Sequence, residues 1–203
     1  MVRESRLIVE QFVSPRTTWA AEMLVNRSFD RLAAGCLPRI SSDGYDAYTQ
    51  PLTEQVRAVK VYPLWWALVR KVKPGRPPKP RTIPDPALLY GQVEKTREGK
   101  RVTKVEKKLV LGPPATDLAF VSTSLLERQN GTARPRNRYL VRKTHGFAKL
   151  VPYMDDQCEV DKTLYNFCRK HRGLKGETPA MRQGITDHVW SVAEALGYRS
   201  AAP

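Results

Sequence analysis

Two acids stand out by where the sequence puts them. Asp43 closes the apolar approach Leu37–Ile40 and is followed at once by Gly44, a dipeptide that turns the chain at a strand end. Glu127 heads a later segment, STSLLERQN, in which Ser122 or Thr123 can cap a helix and Leu125 and Leu126 begin its apolar side. A carboxylate is a hard oxygen donor, and two of them carried by separate elements can hold a divalent ion. Two such ions ~3.5–4 Å apart activate an attacking oxygen and stabilise a leaving one in phosphodiester displacement. Downstream of Glu127, the cations Arg128, Arg134, Arg136, Arg138, Arg142, Lys143 and Lys149 follow with no acid among them. Such a track suits a phosphate backbone. The ordinary alternatives are a plain Asp-Gly turn and a Glu making local ion pairs on a solvated face.

The elements that must carry these acids can be read from periodicity. Arg6–Val13, RLIVEQFV, is apolar and β-branched enough for a strand. Thr17 or Thr18 caps a helix expected to run to about Ala34, with Ala21, Val25, Phe29 and Leu32 at helical spacing and Gly35 as a stop. Leu37–Ser41 reads as a second strand ending at Asp43-Gly44, Tyr45–Val56 as a helix and Arg57–Tyr62 as a third strand. Strand, helix, strand, helix, strand implies an α/β sheet with crossover connections.

Residues 73–86, KPGRPPKPRTIPDP, interrupt that order with six prolines and four cations, the composition of an extended, polyproline-like loop. Within it, Arg76 and Lys79 are candidate DNA contacts, because a narrow minor groove attracts arginine and flanking cations. A charged linker is the plainer alternative. Leu89–Leu111 is expected to form a β-hairpin turning at REGK and carrying Lys95, Arg97, Lys100, Arg101, Lys104, Lys107 and Lys108. Lysines on that hairpin could equally serve as a solvated edge. A helical part begins near Ser122, with Gly131 and Pro135 expected to end the Glu127 helix early.

Bulk properties set the class of partner. The 203 residues fit one domain, or one with a substantial insertion, and 41% hydrophobic content suffices for a core. Thirty-five Lys and Arg against twenty Asp and Glu give a net charge of +15. That excess favours a polyanion, since each phosphate neutralised by a cation releases a condensed counterion. No apolar run approaches the ~20 residues of a membrane span, and the N-terminal stretch lacks the layout of a signal peptide. Cys36, Cys158 and Cys168 form no C-x-x-C pair, which points to a reducing compartment and away from a zinc ribbon. All three are expected to be buried thiols. His145, His171 and His188 have no ligand spacing with a cysteine. Trp65 and Trp66 read as core or dimer-contact residues, and Trp190 as the anchor of the last helix.

The segments SDGYDAY, STSLLERQN, RNRYLVRKTHGFAK, LYNFCRKHRGL and TPAMRQGITDHVWSVAEAL occur in that order. Together, from about Arg6 to Tyr198, they resemble the back part of the DDE insertion-sequence transposases of the IS-one-like group. The resemblance implies a ribonuclease-H-like α/β fold, a mixed sheet flanked by helices, as a single core over residues 1–203. The basic Pro-rich loop and hairpin would be an insertion at 63–118, and 122–203 the helical part that carries the Glu. It implies that Asp43 is the second and Glu127 the third of three acids binding two magnesium ions (Mg2+). Tyr165, Asn166 and His171 match the group's signature after the acid helix. Relatives carry the first Asp on a strand just before the segment matching SRLIVEQFV; here that strand and its Asp are expected to be missing, as in a truncated or inactive copy.

The expected reaction is metal-dependent DNA strand cleavage and strand transfer, with Asp43 and Glu127 as catalytic metal ligands. Arg128, Arg138, Arg142, Lys143, Lys149, His171 and Arg172, with Arg76 and Lys79, would contact double-stranded DNA. A homodimer, no membrane partner and a prokaryotic, nucleoid-associated cytoplasmic location complete the expectation. The rival is a basic DNA-binding protein without catalysis, a transposase relic or regulator. A structural basic protein that prefers RNA is a third class.

Overall fold

Thr17 opens the first helix as the sequence predicts: its side chain accepts a hydrogen bond from the Ala20 N–H at 3.2 Å, satisfying a donor that the helix start leaves without a partner. The computed structural model describes residues 1–54, 59–61, 81–141, 145–146 and 148–197, with the backbone alone for 59–61 and 81. These fall into two units, Arg16–Thr123 and Met1–Pro15 with Ser124–Pro203. The first is built on strands and the second on helices.

In the sheet unit, α1 (Thr18–Asp30) buries Ala21 and Val25, and Phe29 packs against the core. The helix stops four residues before the expected Ala34. Strand β1 (Arg39–Asp43) follows, then a single 3-10 turn at Asp46–Tyr48 and the short helix α2 (Thr49–Glu54). The predicted third strand is Val59–Val61 (β2), paired antiparallel with β3 (Arg81–Ile83). The predicted hairpin is β4 (Leu89–Glu98) with β5 (Arg101–Leu111). β4 lies between the other two strands of a three-stranded mixed sheet, parallel to β1 and antiparallel to β5.

Val25, Leu52, Leu88 and Tyr90 form the core of this unit, with Ile40, Tyr48, Val110 and Leu111 against it. Each fully buried side chain of this size stabilises by about 1.5–3 kcal/mol. The buried Tyr90 hydroxyl is not left unpaired, since Ser42 Oγ and Gln92 Nε2 both lie 2.8 Å away. Across the sheet, Val121 presses on Gly91 so closely that a Cβ there would overlap its Cγ2. Ser122 is tied to β1 through Ser41 Oγ, which accepts from its N–H at 2.9 Å and lies 3.2 Å from its carbonyl.

In the helical unit, residues 6–13 are not a strand. Arg6 has a positive φ of 60°, and Val2 N–H turns back to the Leu7 carbonyl at 2.7 Å. The polar groups of Ile8 go to a side chain instead of a neighbouring strand: its N–H donates to Asn166 Oδ1 and its carbonyl accepts from Asn166 Nδ2, both at 2.9 Å. A β-branched run predicts a strand, but here one amide side chain takes the place of the ladder.

Helix α3 (Ser124–Arg136) turns Leu125, Gln129, Thr132 and Ala133 inward and leaves Glu127 and Arg128 exposed. Contrary to expectation, it continues through Gly131 and Pro135. Pro135 falls in the last turn, where the missing N–H removes a single bond. Helix α4 (Val151–Thr163) runs into a π-helical turn, Leu164–Cys168, that buries Tyr165 and Asn166. Lys162 is buried with Glu10, 3.8 Å apart, and also meets Glu159 at 2.6 Å, so the buried cation is paired. Helix α5 (Pro179–Arg182) is capped by the buried Thr178, whose hydroxyl accepts from the Met181 N–H at 3.2 Å. A Ser191–Glu194 capping box starts α6 (Val192–Ala195). Just before it, Trp190 stacks on Phe167 at 4.4 Å and donates to Thr186 Oγ1 at 2.9 Å.

Candidate functional site

Asp43 is the last residue of β1, and its side chain is 63% exposed. Arg16 Nη2 stands 3.9 Å from its carboxylate, and the same guanidinium lies over the Tyr45 ring at 4.1 Å. Tyr45 meets Tyr48 edge-on at 5.5 Å. Burial pushes the Tyr48 phenol up, and the nearby Asp43 charge adds to the shift. The strand end is therefore a small acidic and aromatic corner with one cation already beside it. Sequence reasoning missed Arg16, whose signal was its place just before the Thr17 cap.

It also missed Glu94. This residue follows Val93, the register partner of Asp43, and its side chain passes over Gly44. Lys108 Nζ lies 3.9 Å from Glu94 Oε1.

Glu127 lies on the exposed face of α3, in the other unit, with the exposed Arg128 next to it. Arg138 is exposed and covers Gly146, leaving no room for a side chain there. Lys149 and Arg172 are exposed. Arg76, Lys79, Arg142 and Lys143, with Trp65 and Trp66, lie outside the described residues.

His171 is half-buried, its ring edge-on to Tyr165 at 4.6 Å. Burial, and then the charges of Arg6 and Arg136, hold its imidazole below the usual histidine range, while a backbone bond to Tyr165 acts the other way. Its Nε2 is buried without a hydrogen-bond partner among the described residues. Tyr165 reaches a cleft whose other walls include Gln11, Gln129, Arg136, Asp161 and Arg169. Tyr165 and Asn166 are thus packing residues here, Asn166 as the clamp on Ile8.

The hairpin sorts its cations by face. Lys104 meets Glu106 at 2.7 Å and Lys108 meets Glu94 at 3.9 Å, all on one side of the ribbon. On the other side, valines stand opposite Lys95 and Arg97. Among the described residues, no group of three or more His, Cys, Asp or Glu side chains is arranged to hold a metal, and no helix is long and apolar enough to cross a membrane. Cys158 is buried and Cys168 half-buried, but Cys36 is exposed in the turn after α1, which corrects the expectation of three buried thiols.

The fold defines a mixed α/β chain with a three-stranded mixed sheet. No protein-family model, no curated protein and no solved structure matches it.

Proposed function

We propose that this chain is a DNA-directed protein of the DDE transposase type, with a ribonuclease-H-like core in which Asp43 and Glu127 ligate Mg2+ for strand cleavage and transfer. The observation that carries the reading is Asp43 itself: an exposed carboxylate fixed at the end of a strand whose parallel neighbour is held in register with it. Exposed carboxylates are the donors that Mg2+ takes, and the ion would supply Lewis-acid stabilisation of a phosphodiester under attack. The net charge of +15 supports a polyanionic substrate.

A second reading is DNA binding without catalysis, as a relic or regulator. It is favoured by Arg16, which already gives Asp43 a countercharge without any metal. Calorimetric titration of Mg2+ into the chain bound to duplex DNA separates the two. Asp43→Asn and Glu127→Gln are each expected to weaken Mg2+ binding by about tenfold or more, the scale on which even outer-shell partners of a metal site act. If neither substitution changes Mg2+ affinity while DNA affinity persists, the second reading holds. An effect of Glu94→Gln in place of Glu127→Gln would move the second ligand to β4.

A further inference from the structure

The helical unit gathers three arginines around one pair of rings, Tyr165 and His171. Arg136 ends α3, Arg169 follows the π-helical turn, and Arg6 belongs to the N-terminal segment that Asn166 clamps. Burial pushes the Tyr165 phenol up, while the charges of Arg6 and Arg136 pull it back. The same two arginines, and Arg169 after them, act together with burial on His171. Arg6 holds a left-handed backbone, which is uncommon for a residue with a side chain. Such a conformation persists only where its surroundings over-determine it. Here the guanidinium of Arg6 fills the space beside Gly173 that a Cβ would need.

Ion pairs elsewhere in this unit join Lys162 to Glu10 and Glu159, and Arg182 to Glu177. Arg6, Arg136 and Arg169 are in none of the ion pairs among the described residues. Arg136, Arg169 and Tyr165 line one cleft with Gln11, Gln129 and Asp161. Its charge is divided. Burial pushes the thiol of Cys158, also in the lining, up, and Asp161, Asp155 and Glu159 push it further. Carboxylates therefore gather by Cys158 and guanidiniums by Tyr165. The cleft leaves about 30 Å³ for the centres of water-sized groups. One water needs ~10–15 Å³ on that measure, so about two fit. That is room for a phosphate group and too little for a nucleobase.

We propose that the arginine side of this cleft binds a doubly charged phosphate group, a phosphomonoester, through Arg136 and Arg169, with Arg6 adding its charge. A planar guanidinium fork matches phosphate oxygens two at a time. Three cations around one small space favour a dianion over the single charge of an internal phosphodiester. The amides of Gln11 and Gln129 offer further donors at the same lining. Two buried atoms of this unit, Asn137 Nδ2 next to Arg136 in the chain and His171 Nε2, have no partner among the described residues. Buried polar atoms in native folds nearly always have one, from protein, water or ligand. The phosphate comes either from the 5′ end of a DNA strand or from a free phosphate. Only the first source rests on the DNA reading above.

Calorimetric titration of inorganic phosphate into the full chain at low salt tests the site without DNA or Mg2+. Arg136→Gln and Arg169→Gln are each expected to weaken binding by about tenfold, the scale of a charge-assisted hydrogen bond. Arg182→Gln, which removes an exposed cation outside the cleft, should change it by about twofold at most. Asp161→Asn should tighten it severalfold, a gain that loss of folding could not produce. A short oligonucleotide with a 5′-phosphate should then bind more tightly than its 5′-hydroxyl form. Combining Arg136→Gln with Arg169→Gln should erase that difference. Phosphate binding without any preference for the phosphorylated strand keeps the site and makes a free phosphate its ligand. Phosphate affinity unchanged in both arginine variants, or no gain from Asp161→Asn, would overturn the proposal. Neither result bears on Mg2+ at Asp43 and Glu127, so the two readings fail separately.

Discussion

Replacing Asn166 with alanine isolates one physical claim about the helical unit, that a single buried amide holds the N-terminal segment. Its Oδ1 and Nδ2 make two bonds of 2.9 Å to the main chain of Ile8, and Asn166 and Ile8 are 5% and 6% exposed. Two neutral hydrogen bonds contribute about 1–3 kcal/mol net, and orphaning a buried N–H and carbonyl adds a desolvation cost of about 1–3 kcal/mol each, offset where water enters. The expected loss is about 2–4 kcal/mol, a large share of a stability near 5–15 kcal/mol. At roughly 2–4 °C per kcal/mol for a chain of this size, the thermal midpoint should fall by on the order of 10 °C. Amide hydrogen exchange reads the same bond locally. A loss of 2–3 kcal/mol should speed exchange at Ile8 by roughly thirty- to 150-fold at ~1.4 kcal/mol per tenfold. Asn166→Asp sharpens the test, because it keeps the volume and the acceptor for the Ile8 N–H but faces a carboxylate toward the Ile8 carbonyl. That variant should recover stability as pH falls and the introduced carboxyl gains a proton to donate. Loss below ~0.5 kcal/mol with unchanged Ile8 exchange would refute the clamp.

Two further measurements probe the same structure. Gly91→Ala should destabilise by about 1–3 kcal/mol, since its Cβ would overlap Val121, and Val121→Ala in the same chain should restore part of the loss; denaturant unfolding of the single and double variants checks both. NMR titration should find His171 below the ordinary 6.5 and His188, bonded to Asp187 at 2.6 Å and Glu194 at 2.9 Å, above it. For His171 the unfolded chain binds the proton first, so stability falls as pH drops below ~6.5 toward the folded value. For His188 the folded chain holds it longer, so its contribution is complete below ~6.5 and is lost as pH rises through the folded value. His171 titrating at or above 6.5 would contradict its buried, arginine-flanked setting.

The elements that could be read in the sequence are those whose signals are local. The Thr17 cap, the strand closing at Asp43 and the hairpin turning at Gly99 each depend on a few adjacent residues, and each is where the spacing puts it. Arg6–Val13 failed as a strand for a non-local reason. Its polar backbone at Ile8 is satisfied by a residue 158 positions away, which no window over the segment contains. The helix through Pro135 failed as a stop because a proline in the last turn removes only one bond.

The candidate site was legible to the same extent. That Asp43 is exposed at a strand end follows from LPRISSDG, but Arg16 and Glu94 come to that corner through α1 and through β1–β4 register. The charge of the hairpin makes the point most directly. In sequence its cations are a single basic run, equally consistent with a solvated edge and with a grip on phosphate. Register decides how they act, because it sets Glu94 and Glu106 beside Lys108 and Lys104 and leaves valines opposite Lys95 and Arg97. A shift of one residue in that pairing would move every side chain of one strand to the other face and put the acids among the outer cations. The bulge at Thr103 and the turn at Gly99 fix the register, and so these two positions, neither of them charged, determine which of the hairpin's cations stand beside its acids.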